Sequence, residues 1–237
     1  MNGTTIVPDD FQDRVVLVTG AGSGIGREAA QAFAGRGAVV YGADLNERGL
    51  KETQDLITQA GGNARVARVD VAEEQEVAAL LARISKEVGR LDVAFNNAGI
   101  TGGAHRIEDY PASDFEKVLR VNLTSVFLGM KYELPLMKRG GGGAICNTAS
   151  VAAITGPGGM CAYAASKCGV HGLTRVAAME NAALNGYRSE IVRDAKAVVV
   201  CVTSNGFTRA DPNDRGMLDV VGFDTSVPAV IADFVRS

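Results

Sequence analysis

A tyrosine and a lysine four residues apart, Tyr163 and Lys167, are the side chains of this sequence best suited to catalysis. Positions i and i+4 share one face of a helix, so both groups can act on the same small volume. A free tyrosine titrates near ~10 and is a poor acid or base at neutral pH, but a fixed cation nearby favours its phenolate. The pair therefore predicts proton exchange with a substrate oxygen, which the reduction of a carbonyl requires.

A glycine-rich turn lies far upstream of this pair, directly after an apolar run that ends at Thr19. Glycine lets the backbone turn tightly and approach a pyrophosphate, whose charge is then met by the free N–H groups and dipole of the next helix. The run from Gly24 to Ala29 fits the G-x-G-x-x-G/A form of dinucleotide-binding proteins. An ordinary tight turn is the alternative interpretation.

Asp44 stands at the end of the next predicted strand, where an acidic residue can accept hydrogen bonds from an adenosine ribose. A carboxylate there would face the 2′-phosphate of NADP at close range, and no basic residue lies within the glycine loop to offset it. The sequence therefore favours NAD as the cofactor. The alternative for Asp44 is a solvated helix cap.

The elements that must position these residues follow one alternating pattern. Short β-branched runs alternate with longer helical patterns, which is typical of a parallel sheet with helices on both faces. We predict a Rossmann-like, doubly wound α/β fold in a single domain, residues 1–237. The predicted strands are 15–19, 39–43, 65–69, 91–96, 143–148 and 197–203, and the predicted helices are 25–36, 46–60, 73–88, 113–138 and 161–184.

Composition narrows the function classes. With 237 residues, 46% of them hydrophobic, the chain can bury a sizeable core, and a net charge of −3 offers no positive field for nucleic acid or an acidic membrane. Four cysteines without a C-x-x-C pair and two distant histidines predict reduced, buried thiols and no metal site. The N-terminus has no basic region followed by an apolar run, so we expect a cytoplasmic protein.

Five motifs together, in order and spacing, resemble the short-chain dehydrogenase/reductase family over roughly residues 12–181. They are Thr19-Gly-x-x-x-Gly-x-Gly26, Asn96-Asn-Ala-Gly99, Asn122, Ser150 and Tyr163-x-x-x-Lys167. The resemblance implies an oxidoreductase that transfers a hydride between NAD(H) and a secondary alcohol or ketone. The hydride itself would move to or from the cofactor, because protein side chains have no such chemistry.

The resemblance also implies a role for each catalytic residue. Tyr163 would be the general acid in reduction and the general base in oxidation. Lys167 would hold the nicotinamide ribose hydroxyls and favour the phenolate of Tyr163 by its charge. Ser150 would hydrogen-bond the substrate oxygen, and Asn122 would support an ordered water in a proton relay.

The cofactor would be held by residues from five segments. Besides the glycine loop and Asp44, the resemblance places Asp70 near the adenine ring and has Asn96-Asn-Ala-Gly99 steady the cofactor cleft. Asp70 could instead be a helix cap, and the asparagines could serve mainly to satisfy backbone groups at a strand end. The full expected set is Gly20, Ser23, Gly24, Ile25, Gly26, Asp44, Asp70, Val71, Asn97, Ala98, Gly99, Tyr163 and Lys167.

The substrate pocket is expected in three loops, at 101–106, at 151–158 and after Gly206. Small and apolar side chains there suggest an uncharged, moderately hydrophobic alcohol or ketone. They include Ala152, Ile154, Pro157 and Met160. His105 and Arg106 could instead bind an anionic substrate or be solvated loop charges.

After Ala182 the chain departs from the family pattern. Asn205 stands where proline is usual and Ala210 where threonine is usual, so Thr208 is a candidate replacement for the nicotinamide contact. We expect one short helix from about Pro228 and no clear seventh strand. True divergence, truncation and an altered C-terminal coding region remain open, and residues 182–237 are provisionally a divergent lid region.

Two further functions and two assemblies stay open at this point. A nucleotide-binding protein without catalysis would result if the altered C-terminal region left the site without a lid, and an NADP-linked acyl-thioester reductase is disfavoured by Asp44. By resemblance, the predicted helices 113–138 and 161–184 pair two subunits into a homodimer. The tetramer that is usual in the family would need the missing strand.

Overall fold

The computed structural model describes residues 11–181, 197–204 and 219–221. Its centre is one sheet with the order β3-β2-β1-β4-β5-β6-β7, in which β1 to β6 are parallel and β7 is antiparallel to β6. The strands are β1 Val15–Thr19, β2 Val39–Asp44, β3 Asn63–Arg68, β4 Val93–Asn96, β5 Gly143–Ser150, β6 Ala197–Ser204 and β7 Asp219–Val221.

Helices cover both faces of the sheet, as the alternating sequence pattern predicts. They are α1 Gly24–Ala34, α2 Glu47–Gln59, α3 Glu74–Val88, α4 Ala112–Leu119, α5 Ser125–Arg139, α6 Ala152–Thr155 and α7 Cys161–Asn181, with a 3-10 turn at Ile107–Asp109. Successive side chains of a strand point to opposite faces. In β1, Val16 and Val18 pack in the core with α1 and α2, whereas Val15 and Leu17 pack in the core with α3, α5 and α7.

The order of the strands creates a crevice at one edge of the sheet. The chain reverses direction across the sheet between β1 and β4, and in an open parallel sheet ligands bind at such a switch point, outside the carboxyl ends of the strands. Thr19, Asp44, Asn96 and Ser150 are the last residues of β1, β2, β4 and β5. The fold therefore brings four segments of candidate site residues to the same edge.

The predicted elements are confirmed in type and order, although several of them differ in their bounds. The predicted helix 113–138 is interrupted between α4 and α5 by a π-helical turn, Arg120–Thr124. Strand β4 begins at Val93 rather than at 91, and β7 pairs with β6, so the expectation of no clear seventh strand is wrong. The expected helix from Pro228 and the link before β6 lie outside the described residues.

Within the described residues, no helix is long and apolar enough to cross a membrane, and no three His, Cys, Asp or Glu side chains are grouped as metal ligands would be. Within the residues whose side chains are described, Cys161 and Cys168 are free thiols. Cys146 is buried, but Cys168 is exposed, so the prediction of buried cysteines is wrong for this residue.

Candidate active site

The glycine loop between β1 and α1 uses its glycines for different physical reasons. Gly20 and Gly24 have φ angles of +70° and +48°, which residues with a Cβ rarely adopt. A Cβ on Gly26 would lie 2.0 Å from the carbonyl oxygen of Gly20, so this position is closed by packing. A Cβ on Gly24 would meet nothing within 4 Å. The loop is therefore packed underneath, whereas the space above Gly24, beside exposed Ser23 and Ile25, is open.

Asp44 ties the end of β2 to this loop. Its carboxylate accepts hydrogen bonds from the backbone N–H of Gly22, at 2.9 Å, and from that of Asn46, at 2.9 Å. The cap of α2 is Asn46, whose side chain accepts from the N–H of Gly49, so the helix-cap interpretation of Asp44 is wrong. The half-buried carboxylate lies beside the pyrophosphate loop, where the cofactor interpretation needs it.

Arg27 is a basic residue immediately after the loop, and its side chain bonds to the loop and to α2. Its guanidinium donates to the carbonyl oxygens of Gly22, at 2.6 Å, and Gly49, at 3.2 Å, and forms an ion pair with Glu52 at 3.0 Å. These bonds hold the loop against α2. The cation is therefore committed to the protein's own acceptors.

Asp70 and Val71 follow β3 and differ in where they point. The Asp70 carboxylate accepts from the N–H of Ala72 at 2.9 Å, which forms a local turn, and the cap of α3 is Glu73. The helix-cap interpretation of Asp70 is therefore wrong as well. Val71 is buried and lines an internal cavity, so a contact of Val71 with a cofactor would use its backbone.

The segment after β4 forms the floor of the crevice. The backbone N–H groups of Asn97 and Ala98 both donate to Thr19 Oγ1, at 3.0 and 3.1 Å, and the Asn97 amide donates to the Thr19 carbonyl at 3.2 Å. A Cβ on Gly20 would lie 2.9 Å from Asn97 Nδ2. The alternative interpretation of Asn97, that it satisfies backbone groups at a strand end, is thus confirmed, and its bonds to Thr19 fix the surface on which a cofactor would lie.

Asn122 lies in the π-helical turn and is fully buried. Its Oδ1 accepts from the N–H of Ile100 and its Nδ2 donates to the carbonyl of Ile100, both at 2.8 Å. The same Nδ2 donates to Ser166 Oγ at 3.1 Å, and Ser166 donates to the carbonyl of Tyr163 at 2.7 Å. Single π turns are frequent at functional sites. Here the turn aims Asn122 at the tyrosine-bearing helix.

Lys167 is 3% exposed, and its Nζ donates to the carbonyl of Thr148 at 2.6 Å. The ammonium lies 5.7 Å from the centre of the Tyr163 ring. A Cβ built on Gly99 would be 3.6 Å from Lys167 Nζ and 3.2 Å from Asn122 Oδ1, so all three groups surround one small volume. The structure thus brings the predicted tyrosine, lysine and asparagine together.

Ser150 ends β5, is buried, and accepts a hydrogen bond from the N–H of Ala152 at 3.2 Å. This bond sets the turn into α6, beyond which the loop reaches α7. The N–H of His105 donates to the carbonyl of Gly159 at 3.1 Å, so the predicted loop 101–106 contacts the residue directly after the predicted loop 151–158. Arg106 is exposed and paired with Glu108, which supports the solvated-charge interpretation. The third predicted loop, with Thr208, lies outside the described residues.

A buried polar cluster behind the floor was not predicted from the sequence. Asn96 Nδ2 donates to Glu133 Oε2 and to Asn147 Oδ1, both at 3.0 Å, and Asn147 donates to Thr174 Oγ1 at 3.0 Å. Glu133 is fully buried, and burial raises the pKa of its carboxyl to about 7, although the hydrogen bond from Asn96 lowers it. Helical periodicity alone cannot identify Glu133, but Gly129 one turn earlier is a signal of close packing.

Comparison with known proteins gives one match over most of the chain. The family model described as short chain dehydrogenase matches residues 14–192. Levodione reductase of Leifsonia aquatica is 41% identical over 182 residues, which are 76% of this chain and 68% of that protein. Cyclohexanol dehydrogenase of an Acinetobacter species is 40% identical over 177 residues, 75% of this chain and 70% of that protein.

Solved structures agree in fold and differ in cofactor. NAD+-bound xylitol dehydrogenase is 31% identical with a TM-score of 0.76, covering 85% of this chain and 73% of that chain. Actinorhodin polyketide ketoreductase with NADPH is 33% identical with a TM-score of 0.72, covering 81% of this chain and 69% of that chain. A second family model, the Ro60 vWA domain, matches residues 173–235 and overlaps the end of the first match.

Proposed function

We propose that this chain, which belongs to the short-chain dehydrogenase family, uses NAD(H) as its cofactor and Tyr163 as its catalytic acid and base. The chain is an oxidoreductase that acts on CH–OH groups, and its fold binds a nicotinamide dinucleotide. The observation that carries the proposal is the convergence of Tyr163, Lys167 and Asn122 at the edge where the glycine loop ends.

The residues around the crevice fit such a cofactor. The open space above Gly24 lies at the N-terminus of α1, where free N–H groups favour a pyrophosphate. The side chain of Asp44, which is bonded to the glycine loop, would accept hydrogen bonds from an adenosine ribose, and Asn97, Ala98 and Gly99 would supply the floor. The bound nicotinamide would supply the hydride to a carbonyl carbon in reduction and accept it from an alcohol carbon in oxidation.

The chain's own residues would handle the proton. In reduction, the Tyr163 hydroxyl donates its proton to the carbonyl oxygen, and in oxidation the phenolate takes the proton of the alcohol. The buried ammonium of Lys167 lies 5.7 Å from the centre of the Tyr163 ring and would hold the nicotinamide ribose hydroxyls. Ser150 would donate a hydrogen bond to the substrate oxygen. Asn122 and the carbonyl of Ile100 would support the proton relay through which Tyr163 regains its proton.

A preference for NAD over NADP is supported by charge. A 2′-phosphate would approach the carboxylate of Asp44, and the neighbouring Arg27 is already bonded to Glu52 and to two backbone carbonyls. We expect Asp44→Ala to narrow the ratio of kcat/KM for NAD over NADP, because it removes the repulsion. An unchanged ratio in paired assays would remove Asp44 from the cofactor site.

The substrate we propose is an uncharged cyclic secondary alcohol or its ketone. Two of the relatives are named for cyclic compounds of this kind, levodione and cyclohexanol. The side chains of the 151–160 loop that we expect to line the pocket are small or apolar, and the one cation of the facing loop, Arg106, is paired with Glu108. A panel of cyclic alcohols and ketones, with matched charged analogues, tests this assignment.

The acid/base role is tested by Tyr163→Phe, with Tyr110→Phe as a matched control. The loss of one hydroxyl at Tyr163 removes the proton donor, so we expect kcat/KM to fall by about a thousand-fold. The Tyr110 hydroxyl is buried beside Gly102 without a hydrogen-bond partner in the described residues, and its removal should leave turnover within about two-fold of wild type. Wild-type turnover by Tyr163→Phe on a confirmed substrate would overturn the role of this residue.

A second candidate function is a nucleotide-binding protein without catalysis. The match of residues 173–235 to a different family model favours it, because these residues include the region in which the third substrate loop was predicted. NADH binding together with no turnover over the whole alcohol and ketone panel would select this function. NADH binding with turnover would exclude it.

We also propose that the protein is a homodimer. The supporting observation is a row of exposed apolar side chains on the two helices expected to pair subunits, Phe127 of α5 and Val176 and Met179 of α7, which are 48%, 55% and 56% exposed. The mass of the protein in solution, measured by light scattering, tests this. The single-domain organisation of residues 1–237 and the cytoplasmic location stay predictions.

A further inference from the structure

The buried cluster behind the crevice floor joins the sheet to the helices on one of its faces around Glu133. Its Oε2 accepts from Asn96 of β4, and Asn96 in turn donates to Asn147 of β5. Its Oε1 is buried, has no hydrogen-bond partner in the described residues, and borders a cavity of about 10 Å³. A carboxyl that is buried with only amide donors near it is more stable neutral than ionised.

The space for this cluster is provided by a glycine. A Cβ on Gly129 would lie 2.9 Å from Asn96 Oδ1 and 3.0 Å from Glu133 Oε1, so a larger residue would push β4 and α5 apart. Ser125, Gly129 and Glu133 are spaced by four residues and line the same cavity. The face of α5 toward β4 is therefore shaped around the carboxyl.

Two short connections link the cluster to the active site. The residue after Asn96 is Asn97, whose N–H and side chain fix the crevice floor to Thr19. The residue after Asn147 is Thr148, whose carbonyl accepts the hydrogen bond of Lys167. A shift of Glu133 away from β4 would therefore disturb the cofactor floor and the catalytic lysine together.

The groups that surround Glu133 within the described residues are nearly all uncharged. The cavity is lined from β1 by Leu17 and Thr19, from α3 by Val77, Leu80 and Leu81, and from β4 by Asn96. On α7, Thr174 accepts a hydrogen bond from Asn147. Lys167, also on α7, donates to the carbonyl of Thr148, the residue after Asn147. On the outer side of α5, Lys131 forms an ion pair with Glu74 of α3, and both side chains are half exposed.

We propose that Glu133 is a positioning residue for the cofactor cleft: its neutral form fixes Asn96 and, through the two strand ends, Asn97 and Lys167, and this form binds NADH more tightly than the ionised form. The inference rests on the proposed function, because it takes NADH as the ligand. An ionised carboxylate in this apolar cavity must move or draw in solvent, and either response separates α5 from β4.

The test is the dissociation constant of NADH, measured by its fluorescence without substrate. For the wild type we expect the constant to rise about five-fold between about pH 6 and about pH 8.5. Glu133→Gln keeps the shape and the acceptor oxygen but cannot ionise. It should match the wild type at the lower pH and stay flat, whereas Glu28→Gln, which changes an exposed carboxylate on α1, should keep the wild-type rise.

A second measurement uses the unchanged protein. Carbon NMR of the Glu133 side-chain carboxyl reports its titration directly, and binding is reciprocal, so saturating NADH should move the midpoint upward by about 0.7 pH units for a five-fold effect. Equal pH profiles in the wild type and Glu133→Gln, or a midpoint that NADH does not move, would overturn the inference. Failure of the wild type to bind NADH at either pH would instead overturn the proposed function.

Discussion

Two carboxyl groups on the same face of the sheet have pKa values that are shifted in opposite directions. Glu133 of α5 lies behind the active site, where burial raises its pKa to about 7. Glu87 lies at the other end of that face, near the end of α3, and hydrogen bonds from Arg83, Tyr41 and Arg65 lower its pKa to about 2. The two sites pack against the same core cluster, so the difference comes from their immediate donors and exposure.

The difference shows that carboxyl groups at the two edges of the sheet are stabilised by different donors. At the edge where the strands begin, guanidinium groups compensate the charge of Glu87, and Arg65 lies 5.4 Å from the centre of the buried Tyr41 ring. At the edge where the strands end, the amide of Asn96 is the one hydrogen-bond donor to Glu133 among the described side chains. The ion pairs of Glu87 stabilise a solvent-exposed part of the fold, whereas the carboxyl of Glu133 sets the distance between β4 and α5.

The largest expected effect is a difference in stability between variants of the buried Glu133 and of the half-exposed Glu87. Glu133→Ala leaves a cavity and removes one of the two acceptors of the buried Asn96 amide, so near pH 6 we expect the free energy of unfolding to fall by about 4 kcal/mol. Glu87→Ala removes a half-exposed, solvent-screened partner and should cost much less. Urea unfolding of both variants checks this order, and equal losses would show that the two sites are energetically alike.

The comparison also shows what the sequence could predict. Strand β1 was predicted to the residue, because its β-branched run is buried on both faces and ends at the glycine loop. Tyr163, Lys167 and Asn122 were predicted from spacing and resemblance, and the structure brings them together. The positions of these residues depend on local spacing and on sequence motifs, so a single sequence is enough to predict them.

Glu133 could not be predicted in the same way. In the sequence it stands in Lys-Tyr-Glu-Leu-Pro, where a charged residue in a helical pattern is normally solvated. Only the contact of α5 with β4 and β5, elements distant in the chain, shows that the carboxyl is buried against Asn96. The π turn was missed for a related reason, since its purpose is to pair Asn122 with Ile100.

A second prediction uses the pH dependence of stability to test the ionisation of Glu133. The pKa of Glu133 is about 7 in the folded chain and 4.5 as the ordinary value, so the folded state holds its proton more tightly. The resulting stability is fully present below pH 4.5 and is lost as pH rises through 7. Relative to Glu133→Gln, the wild type should lose about 3 kcal/mol of unfolding free energy across that window.

The measurement is urea unfolding of both proteins at a series of pH values across the window. The glutamine variant is the matched control, because every other titrating group is unchanged. Parallel stability curves for the two proteins would mean that Glu133 is ionised in the folded state.

The smallest expected effect has the opposite sign and belongs to Glu87. Its folded pKa of about 2 lies below the ordinary 4.5, so its contribution to stability is present above pH 4.5 and is lost as pH falls through 2. The wild type should therefore exceed Glu87→Gln in stability at neutral pH, and the gap should close only below pH 4.5. Urea midpoints on the acid side check this, with Glu28→Gln as the exposed-carboxylate control. A gap that closed near neutral pH would mean that Glu87, like Glu133, titrates near 7, and the contrast between amide and guanidinium donors would no longer explain the two sites.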